Sequence, residues 1–386
     1  MALNPTIPGV YVQETPSGVR PIVGVSTSIA AFVGRARLGP VDLPVACFSF
    51  GDFERRFGGL WADGPMGHAV LDFFNNGGGR AEIVRLYRAG AGMDGVATID
   101  VDGLRLRARD PGSWGNELTA TVTHSGRADP AGAAAAAAAH GLLADDLFDL
   151  QIGLAGLGAS EIFRNLTVRA DGGARRFDRV LAGTSALVEA VFVDDGAARP
   201  ADGATAGGVG GDDGEPLDAS DFIGDEAAQT GIHALSKADM FNLLCIPPDA
   251  LGGTLDRSVN AAAAAFCRAR RALLIVDPPA EWDADPAMAA ATARAAQLDA
   301  STSVLPMADA AYTALYFPRL LKRDPLRGGQ VDVFPPCGAV AGVMARSDGQ
   351  FGVWKAPAGV SASLADVDGL TVDLTDAENG LLNGAA

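Results

Sequence analysis

From about residue 230 onward the chain alternates apolar runs that stop at proline with alanine-rich helical stretches. Met240–Ile246 ends at Pro247-Pro248, and Ala272–Val276 ends at Asp277-Pro278-Pro279. Thr313–Phe317 runs into Pro318. Between them, Val259–Arg271 reads as a helix with Arg268, Arg270 and Arg271 at its C-terminal end, where cations complement the helix dipole. Asp285-Pro286 opens a second helix reaching about Leu298. Apolar strands without polar alternation need cover on both faces. Strand, helix and strand in succession, joined by short loops, predict an open, largely parallel or mixed sheet with flanking helices: an α/β core.

The first part of the chain feeds the same core. Residues 22–34 read as a buried strand entering a turn. Ser49–Phe57 reads as a short helix, with Phe50, Phe53 and Phe57 on one face. A second short helix, Ala69–Asn75, stops at Asn76-Gly77-Gly78-Gly79. Ala81–Tyr87 alternates and reads as a strand.

Between about 96 and 205 the period changes to two. Ala97–Val101, Leu104–Ala108, Leu118–Thr123, Phe148–Ile152 and Asn165–Val168 are short alternating runs, predicting an inserted, mainly β domain. Ala131-Gly132 and the seven alanines after it form a surface helix or a loop. Residues 194–226 hold ten acidic residues against one basic, Arg199, and read as a solvated linker. The expected division is an arm (1–20), a first core part (21–95), the insert (96–205), an acidic Gly-rich linker (206–230) and the α/β core (231–386).

Charge removes some function classes. The formal net charge is −17, which disfavours a nucleic-acid surface or an anionic membrane as partner. Hydrophobic residues make up 48%, enough for a sizeable core, yet no run of about 18 apolar residues exists. The stretch Met1–Gly9 lacks the basic and apolar regions of a secretory leader. Cys47, Cys245, Cys267 and Cys337 form no CxxC pair and are expected as reduced, buried thiols.

Enzyme signatures are also missing. No GxSxG, HExxH or Gly-Lys phosphate loop occurs, and His68, His124, His140 and His233 lack metal-ligand spacing. Gly207–Glu215 resembles one calcium-binding nonapeptide, but such sites work by stacking several copies. Asp277 stands at the end of a buried strand, where α/β enzymes place catalytic groups, but has no identifiable base or nucleophile beside it. Turn and helix-start chemistry is its expected role. No catalytic residue, metal or cofactor is expected.

One segment asks for a partner. Val10-Tyr11-Val12-Gln13-Glu14 is a five-residue strand isolated between Pro8-Gly9 and Pro16, with no hairpin mate nearby. It either folds back on its own domain or adds to a neighbour's sheet, where its main chain would be satisfied.

Several segments in order resemble the contractile phage tail sheath family, which includes the sheaths of phage-like contractile injection systems. They are Pro8–Glu14, Phe32–Pro40, Pro111-Gly112-Ser113-Trp114-Gly115-Asn116, Gly211–Gly214, Asp221–Gly224, Thr230–Leu235, Phe334–Asp348 and Gly352–Ala358. The resemblance implies subunits stacked helically around an inner tube, linked by strand arms, that shorten and drive the tube through a target envelope. It implies self-association, contacts with tube, baseplate and cap proteins, and an insert at 96–205 that faces outward. It also implies assembly in a bacterial cytoplasm and residence in a phage or phage-like tail. Family members continue past the region resembling Leu374–Asn383, so this chain is expected to be truncated relative to them. Val10, Tyr11, Val12, Gln13 and Glu14 are the expected inter-subunit strand. Arg346 and Lys355 are candidate charged assembly contacts. A sheath-derived soluble core, or an α/β enzyme or ligand binder, remain the alternatives.

Overall fold

The computed structural model describes residues 27–125, 129–192, 198–283 and 307–385. The arm, Val10–Glu14, and the helix expected from Asp285 lie outside them.

The chain enters through β1 (Ala30–Gly34), then β2 (Val45–Cys47), α1 (Phe50–Phe57), α2 (Met66–Asn75) and β3 (Ala81–Arg85). After the insert come α5 (Ala219–Ile223), β11 (Leu243–Cys245), α6 (Arg257–Arg270), β12 (Leu273–Val276) and β13 (Thr313–Leu315). The strands form one sheet in the order β13-β12-β11-β1-β3-β2. All pairings are parallel except that of the edge strand β2. The mixed α/β core expected from the proline-stopped runs is present.

Alternate residues of β1 supply both faces, because side chains in a strand point to opposite sides. Ala31 and Val33 face a layer that includes Phe222, Val259 and Phe266. Ala30 and Phe32 face Phe53, Val70 and Phe73. Burial on both faces explains why these strands carry no polar alternation. It also corrects the reading of β3, whose five residues are all buried. Its charged members, Glu82 and Arg85, therefore need partners inside, and Arg80 supplies one for Glu82 at 2.7 Å.

Local signals set the helix ends. Ser49 caps α1 by accepting from Asp52 N at 3.1 Å, and Phe53 stacks on Phe50 and Phe57 at 5.7 and 5.4 Å. Helix α7 (Cys337–Phe351) crosses α2 closely because it carries glycine at the contact. A Cβ on Gly338 would sit 2.0 Å from Ala69 O, and one on Gly342 would sit 2.5 Å from Phe73 O. Both obstacles are backbone and cannot swing away. Gly338→Ala is expected to cost about 1–3 kcal/mol by overpacking, read from urea unfolding. Gly349→Ala on the same helix, with open space around it, serves as the control.

The insert contains β4 (Thr98–Val101), β5 (Leu104–Ala108), β6 (Leu118–His124), α3 (Pro130–Ala139), β7 (Phe148–Leu154), β8 (Ala159–Leu166), α4 (Phe177–Thr184), β9 (Val188–Phe192) and β10 (Thr205–Gly207). They make two antiparallel sheets, β10-β6-β7-β8 and β4-β5-β9, packed over one apolar core that includes Ile99, Leu106, Trp114, Phe148 and Leu150. Of the strand expected at Asn165–Val168, only Asn165 and Leu166 belong to a strand, the end of the longer β8, and Thr167 makes an isolated bridge with Arg176. Only Phe163 and Leu166 of β8 are buried, so most of it carries no apolar pattern. The alanine run is a helix, with Ala133 and Ala137 buried.

The acidic stretch is hydrogen-bonded rather than free along its described length. Val209 exchanges both backbone bonds with Thr98, at 2.9 and 3.0 Å. Asp213 accepts from Ser113 N at 2.7 Å, and Asp218 caps α5. These carboxylates occupy orphan backbone donors, a use that charge counting does not distinguish from solvation.

After the core sheet, β14 (Leu320–Asp324) pairs antiparallel with β15 (Gln330–Phe334) and, through two residues, with β16 (Gly369–Leu370). Helix α8 (Asp376–Ala385) follows.

Candidate assembly site

Three places hold the side chains of interest: the joint between core and insert, the anchor of the β14–β15 hairpin, and the turn after α7.

The joint is built around Arg85 at the end of β3. Its guanidinium is buried and donates to three carbonyls: Nε to Ala36 O at 2.8 Å, Nη1 to Gly39 O at 2.7 Å and Nη2 to Pro111 O at 2.8 Å. Burial pushes its pKa down to about 10, so it stays charged at neutral pH. Pro111 opens the segment Pro111–Asn116. There Gly112 has φ +141 and the Trp114 indole donates to Pro111 O at 3.2 Å. A Cβ on Gly112 would meet the indole at 2.4 Å, so glycine is required twice, by conformation and by space. Asn116 and Gly211 exchange two bonds of 2.8 Å, which ties this opening segment to the returning one. Arg37 pairs with Glu117 at 2.5 Å, and Arg35 donates to Asp213 O at 3.1 Å. The two segments singled out by resemblance, Pro111–Asn116 and Gly211–Gly214, therefore meet in one joint.

The hairpin is anchored by Lys322, whose ammonium pairs with Asp72 of α2 in a buried contact and lies 5.0 Å from the Phe334 ring. The other oxygen of Asp72 is buried with no hydrogen-bond partner among the described residues. Burial pushes Asp72 up to about 6, with Lys322 pulling the other way. His68 lies 4.8 Å from the same ring, and burial holds its imidazole below the usual value. Arg319 adds bonds of 3.2 and 2.8 Å to Pro278 O and of 2.6 Å to Gly253 O.

Asp277 is buried, accepts from Cys337 N at the start of α7 at 2.9 Å, and is pushed up to about 6 by burial. Its geometry is that of a helix-start acceptor. The thiols of Cys47, Cys245, Cys267 and Cys337 are free and buried. Among the described residues, no group of three His, Cys, Asp or Glu side chains is arranged to hold a metal. No described helix is long and apolar enough to cross a membrane.

Arg346 and Lys355 both have partners within the chain. Arg346 donates to Asn76 O at 3.2 Å and to Ser363 O at 2.5 Å, strapping the loop after α7 onto the end of α2. Lys355 donates to Ser361 Oγ at 2.9 Å and lies 4.7 Å from the Phe351 ring. Beside Lys355, Trp354 is 85% exposed and Val353 60%. The stretch Gly352–Ala358 thus carries a prominent apolar surface. Its hydropathy alone could equally have meant core.

No protein-family model matches the chain, and no curated protein matches it. Solved structures do. A sheath tail protein of Listeria innocua superposes with a TM-score of 0.58 at 15% identity, over 93% of this chain and 64% of its own. A sheath tail protein of Desulfitobacterium hafniense gives 0.51 at 17% identity, over 98% of this chain and 70% of its own. The fold, core and insert together, is that of sheath tail proteins. This chain spans slightly less than two thirds of the Listeria protein and somewhat more of the other.

Proposed function

We propose that the chain is a structural subunit of a contractile tail sheath, not an enzyme. It polymerises around an inner tube and shortens to drive that tube through a target envelope. The observation that carries this is the shared fold with two sheath tail proteins over 93% and 98% of the chain. The proposal includes baseplate and cap contacts, assembly in a bacterial cytoplasm, and the five-part division of the chain given above.

The physics of such a device fits the molecule. A helical polymer needs a heterologous interface that does not close. Contraction needs two packings of the same subunits, so the energy resides in the assembly and no nucleotide is consumed. A core and insert held by Arg85, Asn116 and Asp213 suit a unit that moves whole. Strand addition through main-chain hydrogen bonds then suits the connections between units. Val10–Glu14 is the proposed link, with Val10 and Val12 on one side and Tyr11 and Gln13 on the other. Arg346 and Lys355 belong to the proposal as charged contacts. Lys355 stands at the exposed turn, whereas Arg346 acts through the loop that it straps.

Negative-stain microscopy of the purified chain, alone and with a tube protein, tests the reading. Rings or tubes are expected, and monomers under both conditions would favour a soluble, sheath-derived core instead. Val10→Pro or Val12→Pro removes a main-chain donor from the added strand and is expected to abolish these polymers without lowering the thermal midpoint. Wild-type polymers from either variant would reject Val10–Glu14 as the link.

A further inference from the structure

The exposed turn after α7 is built, not loose. Gly352 has φ +94, and Lys355 N donates back to Gly352 O at 3.1 Å. The Trp354 ring lies against Gly352, where an added Cβ would come within 2.4 Å of it. A side chain at 352 would displace the indole, so the glycine fixes a large aromatic in solvent. Aromatic side chains presented in this way are the residues that dominate interface energetics.

A cleft on the same chain is large enough to receive it. Between α1 and β8 lies a space of about 540 Å³, whose wall includes the charged Glu54, Arg55 and Glu161 and the apolar Leu187. Half of the eight lining residues, Gly156, Ala159, Ser160 and Ala186, are small, and the room lies over them. Pockets of roughly 300–1,000 Å³ accommodate whole small ligands, and this one has space for an indole and a lysine stem. Glu54 stands exposed in its wall, while the neighbouring Arg55 is already paired with Asp52. The cation beside Trp354 would meet a carboxylate there. In a chain of net charge −17, a cationic apolar knob is an exception, and it suits an acidic receptor.

We propose that Trp354, with Lys355 beside it, inserts into the α1–β8 cleft of a second copy of this chain. This rests on the sheath reading and names one of its contacts. The knob and the cleft are different surfaces of one chain, and the knob is not seated in its own cleft, since the ring is exposed. A contact of that kind is heterologous and links copies head to tail, as a ring or a helical polymer requires.

The test uses the full chain with two variants. Trp354→Ala removes the knob, and Ala159→Arg fills the cleft. Each variant alone is expected to self-associate about thirtyfold more weakly than the wild type in sedimentation velocity. An equimolar mixture is expected to give dimers that grow no further. Only the knob of Ala159→Arg chains can enter the cleft of Trp354→Ala chains. Both positions are exposed, so the thermal midpoint should hold. If either variant loses its midpoint, Trp354→Ser or Ala159→Gln replaces it. If both variants assemble like the wild type, this contact is refuted and the sheath reading stands. If the mixture stays monomeric while the wild type assembles, the pairing of these two surfaces is wrong. A wild-type chain that never associates overturns both.

Discussion

Arg85→Met is expected to lower the unfolding free energy by about 3–5 kcal/mol, because it leaves the carbonyls of Ala36 and Gly39 without their donor and Pro111 O with the Trp114 indole alone. Methionine keeps most of the stem volume, so the loss reports hydrogen bonds more than packing. Lysine is not a conservative replacement here. Its ammonium is a point donor that cannot reach three acceptors held by a planar fork, so Arg85→Lys should recover only part of the loss. Arg85, pushed down only to about 10, stays protonated below pH 8, so the loss should be the same at pH 6 and pH 8. Urea unfolding followed by tryptophan emission measures it. Trp114, bonded to Pro111 O, reports the same joint locally. A loss under 1 kcal/mol would mean that water or a small backbone shift replaces the guanidinium, and that core and insert are not locked at this point.

Much of this architecture was legible because its strands are apolar on both faces or alternate cleanly. Met240–Ile246, Ala272–Val276 and Thr313–Phe317 each contain a core strand, and Leu104–Ala108 coincides with β5. The failures share a cause. Residues that are buried yet polar look solvated when only hydropathy is read. In β14 the buried positions are Leu320, Lys322 and Asp324, so the inward face carries two charges and the strand was not seen. In β3, Glu82 and Arg85 are three apart and so point to opposite faces, both of which are buried. In β8 the reverse holds, since an exposed strand has little apolar material to reveal it. The joint could be glimpsed only as two segments, Pro111–Asn116 and Gly211–Gly214. That they meet depends on about a hundred intervening residues folding back, which no local pattern encodes. Trp354 was visible as a residue, but its exposure depends on Gly352 holding the turn open.

Lys322→Met is expected to destabilise the fold by about 3–5 kcal/mol at pH 7.5, and by distinctly less at pH 5. The asymmetry comes from Asp72. Burial raises its carboxyl to about 6, above the ordinary 3.8, while the Lys322 ammonium pulls it down. A group raised on folding stabilises the fold fully below its unfolded value and loses that contribution as pH rises through the folded one. For Asp72 the window runs from about 4 to 6, so this group makes the wild type more stable at pH 5 than at pH 7.5. Asp277, raised by burial to about 6, acts in the same direction. Removing Lys322 deletes the one attraction that opposes burial, so the folded value of Asp72 climbs further. At pH 7.5 the variant must then either bury an uncompensated carboxylate or take up a proton, and both are costly. At pH 5 the carboxyl is already protonated, and most of the loss disappears. Adding Asp72→Asn to Lys322→Met should restore much of the stability at pH 7.5, since a neutral pair leaves no orphan charge inside. Urea unfolding of the three proteins at the two pH values decides the matter. Equal losses for Lys322→Met at both would show that Asp72 is solvated when the hairpin is docked, and that the pair is not what anchors β14 to α2.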